Sequence, residues 1–309
     1  MRIMELAEIQ RSLAYPEVIA RMRDALVCWS RGECDMPMPM HLEIAPRNAE
    51  VHIKSSYRRG GRFFALKIAA TFPGNLARGH PAGSGMMLLS SAETGEPVAF
   101  LADNGHLTDV RTAAVTALVA RELCRRDTVL GILGAGIQAR LQARMHAEIL
   151  PLRQVHLWGR NPERAEDCRR DLAAALPDIE IVIAASPAAV ARAARLIVTA
   201  TASRLPLLLH GDLQPGSHIS AVGADASHKQ ELHPDILRRA SLVLVDSLPQ
   251  CAKLGELQHA PDQASRAVEI GAWCDSPLAI DPAEITVADF TGLGIEDLAI
   301  AEYCYLGAN

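Results

Sequence analysis

Asp225 is a carboxylate that comes just after a run of residues typical of a buried strand. The run is His218–Val222, and Gly223 and Ala224 separate it from Asp225. Ligands of an open α/β sheet bind at the carboxyl ends of its strands, so an ionisable group there is positioned to contact one. Aspartate is also a common turn residue that bonds nearby backbone amides. Position alone therefore leaves a catalytic role and a turn-capping role open.

Two cations stand in positions where a charge is costly. Lys67 interrupts the apolar run Phe63–Ala70, where a cation must be paired, hydrated or directed to the edge of a sheet. Arg111 opens a predicted helix, where a lone positive charge opposes the helix dipole. An anionic ligand such as a carboxylate explains that arginine better than a structural role does.

A glycine-rich turn, Gly134-x-Gly136-x-x-Ala139, follows a predicted strand and opens a predicted helix. The first glycine permits a tight turn, the second lets the backbone approach a pyrophosphate, and Ala139 lets helix and strand pack closely. Backbone amides at the start of the helix then face the phosphates. The pattern predicts a dinucleotide-binding site, and the alternative is a βα turn without a ligand.

The residues after the next predicted strand indicate which dinucleotide is bound. An enzyme that uses NAD usually has an acid there to hold the ribose 2′-hydroxyl, whereas an arginine suits the 2′-phosphate of NADP. This chain has Gly159 and Arg160 at that place. A guanidinium can bind a phosphate through two hydrogen bonds, and an acid would repel it. The sequence therefore favours NADP, with NAD as the alternative.

Composition narrows the class of ligand. Hydrophobic residues make up 49% and charged residues 22% of the chain, which is typical of a globular protein. The net charge is −5 and no run of Lys or Arg is longer than two residues, so we expect a small-molecule ligand and no nucleic acid. Seven cysteines without a Cys-x-x-Cys pair indicate reduced thiols in the cytoplasm and no metal site. No apolar run predicts a signal peptide or a membrane helix.

The elements that must position these residues follow two patterns. The first third predicts a helix and four strands of antiparallel sheet, at Pro16–Arg31, Glu50–Tyr57, Phe63–Ala70, Gly85–Ser90 and Pro97–Leu101. From there Thr108-Asp109 predicts the N-cap of a long helix that reaches about Cys124. Apolar strands alternating with helices follow, at Thr128–Leu133, Gln154–Trp158, Ile179–Ala184, Ala194–Ala200, Ser217–Val222, Leu242–Val245 and Glu284–Asp289, before a last helix at Glu296–Leu306. The predicted fold class is α/β, a Rossmann-type doubly wound parallel sheet plus a second α+β domain.

Five stretches together resemble the ornithine cyclodeaminase/μ-crystallin superfamily. They are FALKIAATFPGN, DNGHLTDVRTAAVTALVA, ILGAGIQAR, AVGADASHKQELHP and ITVADFTGLGIEDLA. The segments EVHIKSSY and LGELQHA look most like its ectoine-utilisation branch, EutC, and the neighbouring iminosuccinate reductase. The resemblance implies a homodimer with a substrate-binding and dimerisation domain at 1–112 with 291–309, and a Rossmann domain at 113–290. It also implies hydride exchange between nicotinamide and the α-carbon of an amino acid or its imine.

The resemblance further implies roles for individual residues. Asp225 matches the catalytic aspartate, Lys67 the lysine that contacts substrate carboxylate and nitrogen, and Arg111 the arginine that binds the α-carboxylate. For a dicarboxylic substrate such as iminosuccinate, Lys54, Arg58, Arg59 and His41 offer spare cations for a second carboxylate. Solvation at a polar turn is the alternative explanation of the two arginines. The predicted cofactor-binding residues are Thr112, Gly134, Gly136, Ile137, Gln138, Ala139, Gly159, Arg160, Asn161, Thr201, Val222 and Gly223.

Two departures from the family pattern concern the substrate. His41 replaces a common arginine, and Met86 replaces a common threonine; we expect both to line the substrate pocket. The favoured function is an NADPH-dependent reductase of small α-imino or α-keto acids. The alternatives are a true ornithine cyclodeaminase and a non-catalytic NADPH-binding protein, and retention of Asp225 argues against the latter.

Overall fold

The computed structural model describes residues 1–124, 126 and 128–307. The chain divides into two compact units, one of residues Met1–Arg111 with the C-terminal part from Leu293, and one of Thr112–Gly292. These limits differ by one and two residues from the predicted domain limits. Residues 308 and 309 of the predicted first domain lie outside the described part.

The first unit is a sheet with helices, and its strands are antiparallel except that β1 runs parallel to β7. In chain order its elements are β1 (Arg2–Glu5), α1 (Leu6–Ser12), α2 (Tyr15–Ser30), β2 (Cys34–Asp35), β3 (Met40–Ile44), β4 (Ala49–Arg58), β5 (Phe63–Thr71), β6 (Gly83–Ser91), β7 (Pro97–Ala102) and the start of α3 (His106–Leu123), a helix whose residues from Thr112 onward belong to the second unit. The order in its seven-stranded sheet is β1-β7-β6-β5-β4-β2, with β3 paired to β4. The predicted strands match β4 to β7 within two residues at each end.

Burial along β5 alternates as the pleat requires. Phe63, Ala65 and Lys67 are buried on one face, while Ile68 on the other face is exposed. Lys67 lies opposite Lys54 of β4, and Ile68 lies opposite Ile53. The face that carries Lys67 is therefore the buried face of the sheet at this position.

The second unit alternates strands and helices, as predicted. Its elements in chain order are β8 (Val129–Leu133), α4 (Ile137–Ile149), β9 (Gln154–Trp158), α5 (Pro162–Ala175), β10 (Glu180–Ile183), α6 (Pro187–Ala193), β11 (Leu196–Thr199), β12 (Arg204–Leu208), β13 (His218–Ala221), β14 (Gln230–Leu232), α7 (Pro234–Arg239), β15 (Leu242–Val245), α8 (Leu248–Leu254), β16 (Val268–Glu269), α9 (Ile270–Asp275) and β17 (Thr286–Asp289).

Eight of these strands form a parallel sheet in the order β10-β9-β8-β11-β13-β17-β15-β16. The strand order reverses between β8 and β11, where the next strand in the chain is added on the opposite side. Such a reversal opens a crevice at the carboxyl ends of the two strands, where a ligand can bind. Strands such as β11 and β15 are buried along their whole length because apolar clusters cover both faces of the sheet. The predicted fold class is confirmed.

The last helix belongs to the first unit. It is α10 (Gly294–Gly307), and it packs on α2, β4 and β5. Glu296 and Asp297 of its first turn are buried, and the residues that flank them in the sequence are apolar. Among the described residues, no helix combines the length and the apolar character needed to cross a membrane.

The start of α3 differs from the prediction. The helix begins at His106, two residues before the expected cap at Thr108. The Asp103 carboxylate accepts a hydrogen bond from the Leu107 amide at 2.8 Å and so caps the first turn. Arg111 consequently lies in the second turn of α3 and does not open the helix, so the dipole argument made from its position was wrong.

Candidate active site

The glycine-rich turn in the second unit joins β8 to α4. Gly134 has φ +129°, and a Cβ there would lie 2.4 Å from the Ala200 carbonyl oxygen, so only glycine fits. A Cβ on Gly136 would meet nothing within 4 Å. Gly136 is also the N-cap of α4 and offers no side-chain oxygen to the first amides. The turn thus leaves open space in front of the start of a helix, and this fits a pyrophosphate.

Sequence reasoning did not identify Arg140, which holds this turn, or Gln142, which bonds a side chain in the first turn of α4. The Arg140 guanidinium donates to the carbonyl oxygens of Ala135 and Gly136 at 3.0 and 3.1 Å, and Asp171 pairs with it. The buried Gln142 amide donates to the Gln138 side-chain oxygen at 3.3 Å. Ile137 is exposed, whereas Ala139 is buried against the sheet as predicted. The pattern of glycines identified the turn, and these contacts fix its orientation.

The end of β9 lies close to the glycine-rich turn. A Cβ on Gly159 would be 2.9 Å from the Ala135 Cβ, so a larger residue would push the two segments apart. Arg160 follows and is exposed. The Asn161 side-chain oxygen accepts from the Arg164 amide at 3.0 Å and caps α5. Asn161 therefore has a structural role, while the Arg160 guanidinium can reach solvent and an anion.

Glu231 joins the carboxyl ends of β11 and β13 from a fully buried position. Its Oε1 accepts from the Thr201 amide and hydroxyl, both at 2.7 Å. Its Oε2 accepts from the Thr199 hydroxyl at 2.7 Å and from the Gly223 amide at 2.9 Å. Burial raises the pKa of Glu231, and these hydrogen bonds act in the opposite direction. Glu231 thereby fixes Thr201 and Gly223, with Val222 between Gly223 and β13.

Two further buried acids, Glu256 and Asp289, accept hydrogen bonds from the backbone at and near Glu231. The Glu256 carboxyl accepts from the backbone amides of Glu231 and Leu232, and Asp289 in turn accepts from the amides of Glu256 and Leu257. Burial raises the pKa of Asp289 to about 7. Burial also raises the pKa of Glu256 well above its ordinary value. These acids organise the backbone at the carboxyl edge of the parallel sheet.

Asp225 lies four residues after the end of β13, in the loop that leads to β14. Its carboxylate pairs with Lys229 Nζ at 2.5 Å. About half of the Asp225 side chain is exposed, whereas Lys229 is largely covered. The Asp225 carboxylate is thus held by a lysine from its own loop and is still accessible to a ligand.

In the first unit, Lys67 is buried in a pair with Asp297 of α10. The Nζ lies 3.0 Å from Asp297 Oδ1 and 2.8 Å from Oδ2. Burial lowers the pKa of Lys67 to about 7, with Asp297 opposing and the cations of Arg111 and Lys54 adding to the effect. The alternative of a lysine directed to solvent from the edge of the sheet is wrong, since Lys67 is 2% exposed.

Arg111 is held by the same helix. Its guanidinium lies 2.9 Å from Glu296 Oε2 and 3.2 Å from Asp297 Oδ1. The protein's own carboxylates therefore account for its burial, and an anionic ligand is not required to explain it. Both acids come from the motif GIEDLA, and the signal that could have found them is a Glu-Asp pair within an apolar helix.

The charges around Lys67 and Arg111 in the first unit balance. Lys54, Lys67 and Arg111 face Glu296, Asp297 and Asp103, the last of which interacts electrostatically with Lys67. Burial raises the pKa of Asp103. Burying several ions together is less costly when each has an opposite charge nearby. Lys67 and Arg111 are therefore matched by carboxylates of the protein itself.

Met86 does not share this interior, contrary to the prediction. It lies opposite Ile68 in the sheet, while its neighbour Met87 lies opposite Lys67. Alternation of the pleat directs Met86 to the face away from Lys67, where it is 41% exposed. A pocket-lining role for Met86 beside Lys67 is therefore wrong.

His41 and Thr112 complete the predicted set. His41 lies opposite His52, and His52 is two residues before Lys54, so His41 is on the same face as Lys54 and Lys67. Its Nε2 is 3.4 Å from Glu50 Oε2. Thr112 is half-buried in α3, next in sequence to Arg111.

Comparison with known proteins agrees with this architecture. The model of the ornithine cyclodeaminase/mu-crystallin family matches residues 1–308. An uncharacterized cyclodeaminase of Sinorhizobium fredii is 37% identical over 291 residues, covering 89% of this chain and 85% of the relative. The iminosuccinate reductase of Paracoccus denitrificans is 31% identical over 272 residues, covering 84% of this chain and 81% of the relative.

Solved structures extend the comparison. The Paracoccus denitrificans iminosuccinate reductase in complex with NAD⁺ superposes with a TM-score of 0.88 at 27% identity, covering 100% of this chain and 96% of that chain. An archaeal alanine dehydrogenase dimer with bound NAD superposes with a TM-score of 0.89 at 26% identity, with the same coverage of 100% and 96%. The family resemblance predicted from the motifs is confirmed by these matches.

Proposed function

Because this chain belongs to the ornithine cyclodeaminase/mu-crystallin family, we propose that it reduces a small α-imino or α-keto acid to an L-amino acid with NADPH. The observation that carries the proposal is Lys67, a buried amine whose pKa is lowered to about 7. A group with a pKa near neutrality can exchange a proton at little cost, and such groups are typical of active sites.

The charge pattern around Lys67 suits this class of substrate. An amino acid or imino acid carries a carboxylate and a positively charged nitrogen on the same carbon. The first unit offers both kinds of partner on one face, with Lys54, Lys67 and Arg111 as cations and Asp297 as an acid. Arg111 and Lys67 would bind the α-carboxylate, and this would orient the α-carbon for reaction.

The second unit supplies the groups that fit a nicotinamide dinucleotide. The start of α4, behind Gly134 and Gly136, fits the pyrophosphate, with Thr112 as a further phosphate contact. Thr201 and Gly223, which Glu231 fixes, would contact the nicotinamide half together with Val222. The bound dinucleotide would supply the hydride that the α-carbon receives.

Asp225 is the proposed acid and base at the substrate nitrogen. Reduction of an imine is faster when its nitrogen is protonated, because the iminium carbon is the better acceptor. The Asp225 carboxyl can donate that proton, and Lys229 fixes its orientation. Asp225→Asn should then lower turnover by about two orders of magnitude or more while NADPH affinity stays nearly unchanged. A variant with near wild-type turnover would remove Asp225 from the mechanism.

Arg160 carries the proposed preference for NADP. Its guanidinium follows β9 in place of the acid that would hold a free ribose hydroxyl, and it is exposed. Titration of the protein with NADPH and NADH tests this. Arg160→Ala should weaken NADPH binding by about tenfold or more, and NADH binding should stay within about twofold. The control variant Arg192→Ala removes an exposed arginine of α6 and should change neither the NADPH nor the NADH affinity. If the wild type, Arg160→Ala and Arg192→Ala all have the same affinities, the proposed preference is refuted.

One screen separates the reductase from its rivals. The protein would be incubated with α-keto acids plus amines, with iminosuccinate and with L-ornithine, following NADPH absorbance and ammonia together. A reductase consumes NADPH in proportion to product. Release of ammonia from ornithine with catalytic amounts of dinucleotide would establish a cyclodeaminase instead, and binding without any reaction would favour a binding protein.

We also propose a homodimer formed by the open face of the first sheet. Met40, Ile53, Ile68 and Met86 lie directly opposite one another across β3, β4, β5 and β6. Met40, Ile68 and Met86 are 63%, 37% and 41% exposed. A contiguous apolar row on a sheet is costly in water, and a second copy of the chain could cover it. A cytoplasmic location stays a prediction from the cysteine content.

A further inference from the structure

Two histidines and a glutamate converge on the polar side of β3 and β4. His41 of β3 lies directly opposite His52 of β4, and their ring centroids are 4.8 Å apart. Glu50 precedes His52 by two residues, so the alternation of the strand directs both side chains to the same face. Pairing of β3 with β4 brings His41 to the other two residues, which are neighbours on β4.

The two distances from Glu50 to the histidines match the spacing of metal ligands. Glu50 Oε2 lies 3.4 Å from His41 Nε2 and 3.5 Å from His52 Nε2. One ligand atom from each residue lies within 4.8 Å of the other two. These separations exceed the distance of about 2.9–3.0 Å usual for N–H···O hydrogen bonds. A tetrahedral ion with bonds of about 2.0–2.1 Å spaces its ligand atoms by about 3.3–3.4 Å.

We propose that His41, Glu50 and His52 bind one divalent ion of the zinc class. Two imidazole nitrogens and a carboxylate oxygen suit zinc and its neighbours, whereas calcium and magnesium prefer oxygen ligands in larger number. Three protein ligands leave a fourth position open to water or to a small donor molecule. The position is on the face that also carries Lys54 and Lys67.

The ion would also stabilise an edge of the sheet. Within the described part of the chain, β3 pairs with β4 alone. An ion held by His41 on one strand and by Glu50 and His52 on the other ties β3 to the sheet. Binding to the folded state alone raises the melting temperature as the metal concentration rises.

The test uses the full chain without an affinity tag, stripped of metal, and titrated with Co²⁺ and then with Zn²⁺ in competition. We expect one equivalent to bind, with a rise in melting temperature. His41→Ala and His52→Ala should each weaken binding by at least about tenfold, because changes even in residues that only support metal ligands cost about 10–100-fold. His80→Ala, which removes an exposed histidine of the same unit, should bind as the wild type does.

Three outcomes would overturn the proposal. The first is the absence of binding at about 100 μM metal. The second is equal binding by the wild type and by His41→Ala. The third is a Co²⁺ spectrum with the ultraviolet bands of thiolate ligands. His41 is about half exposed on an edge strand, so His41→Ala should fold even if His52→Ala does not. The readout is metal binding without turnover, so its result is independent of the proposed reductase activity.

Discussion

Glu231→Gln removes one charge and keeps the shape of the side chain, and its effect can be worked out from four hydrogen bonds. Each carboxylate oxygen accepts one hydroxyl and one backbone amide. The hydroxyls of Thr199 and Thr201 can rotate to accept from an amide NH₂, but the Thr201 and Gly223 amides cannot. One of the two must therefore face the new NH₂ group, donor against donor. An unsatisfied buried amide costs about 1–3 kcal/mol, and weaker bonds at the remaining oxygen add about 1 kcal/mol.

We thus expect Glu231→Gln to destabilise the second unit by about 2–4 kcal/mol. A domain of this size loses about 2–4 °C of melting temperature per kcal/mol, so its transition should fall by at least about 4 °C. The NADPH dissociation constant should rise by about tenfold, because the hydrogen bonds that fix Thr201 and Gly223 are lost. Thermal unfolding followed by circular dichroism and a fluorescence titration measure the two effects.

Glu180→Gln is the control, since Glu180 lies in β10 of the same sheet and accepts only an exposed bond from Gln154 among the contacts described for its side chain. We expect its melting temperature to stay within about 1 °C of the wild type. If Glu231→Gln also melts like the wild type and binds NADPH equally well, the Glu231 carboxyl does not act as a charged acceptor of four hydrogen bonds. That result would refute the role of Glu231 in joining the carboxyl ends of β11 and β13.

Three further predictions concern the first unit. Asp297→Asn removes the carboxylate shared by Lys67 and Arg111, so unfolding should become easier by about 3–5 kcal/mol in denaturant titration; a loss below about 1 kcal/mol would contradict a buried pair. Because the folded pKa of Lys67 is lowered to about 7, the unfolded chain holds more protons above that pH. The stability of the wild type relative to Lys67→Met should therefore rise between about pH 7 and pH 10.5, by about 1.4 kcal/mol per pH unit, and a flat difference would exclude the shift. Met86→Glu places a charge in the apolar row and should convert the dimer to monomer in light scattering, whereas an unchanged mass would exclude that face as the interface.

Local patterns in the sequence were sufficient to predict the features of the fold that depend on one short segment. The glycine-rich turn could be identified because its constraint is local: Gly134 has a positive φ and a carbonyl within contact distance of any Cβ. Strands β4 to β7 of the first sheet and seven of the eight strands of the second followed from runs of apolar residues with turn residues between them. The short strands β1, β2, β3 and β16 were not predicted. The start of α3 was placed two residues late because Asp103, and not Thr108, caps it.

Pairs made by distant residues could not be predicted from such patterns. Lys67 was recognised as costly, but its partner Asp297 lies 230 residues away. Met86 was expected to line the substrate pocket, but it lies on the face away from Lys67. The register of β6 against β5 decides this, and a shift by one residue would reverse every side chain.

The sequence by itself determined the family, the fold class and the residues whose charge needs an explanation, because each depends on residue type and short spacing. The tertiary structure alone decided which opposite charge each of them meets. Glu296 and Asp297 balance Arg111 and Lys67, and Glu231 joins two strand ends. The physical reason is that burial makes an unpaired charge costly wherever it lies, so the partner is set by the packing of elements and not by distance along the chain.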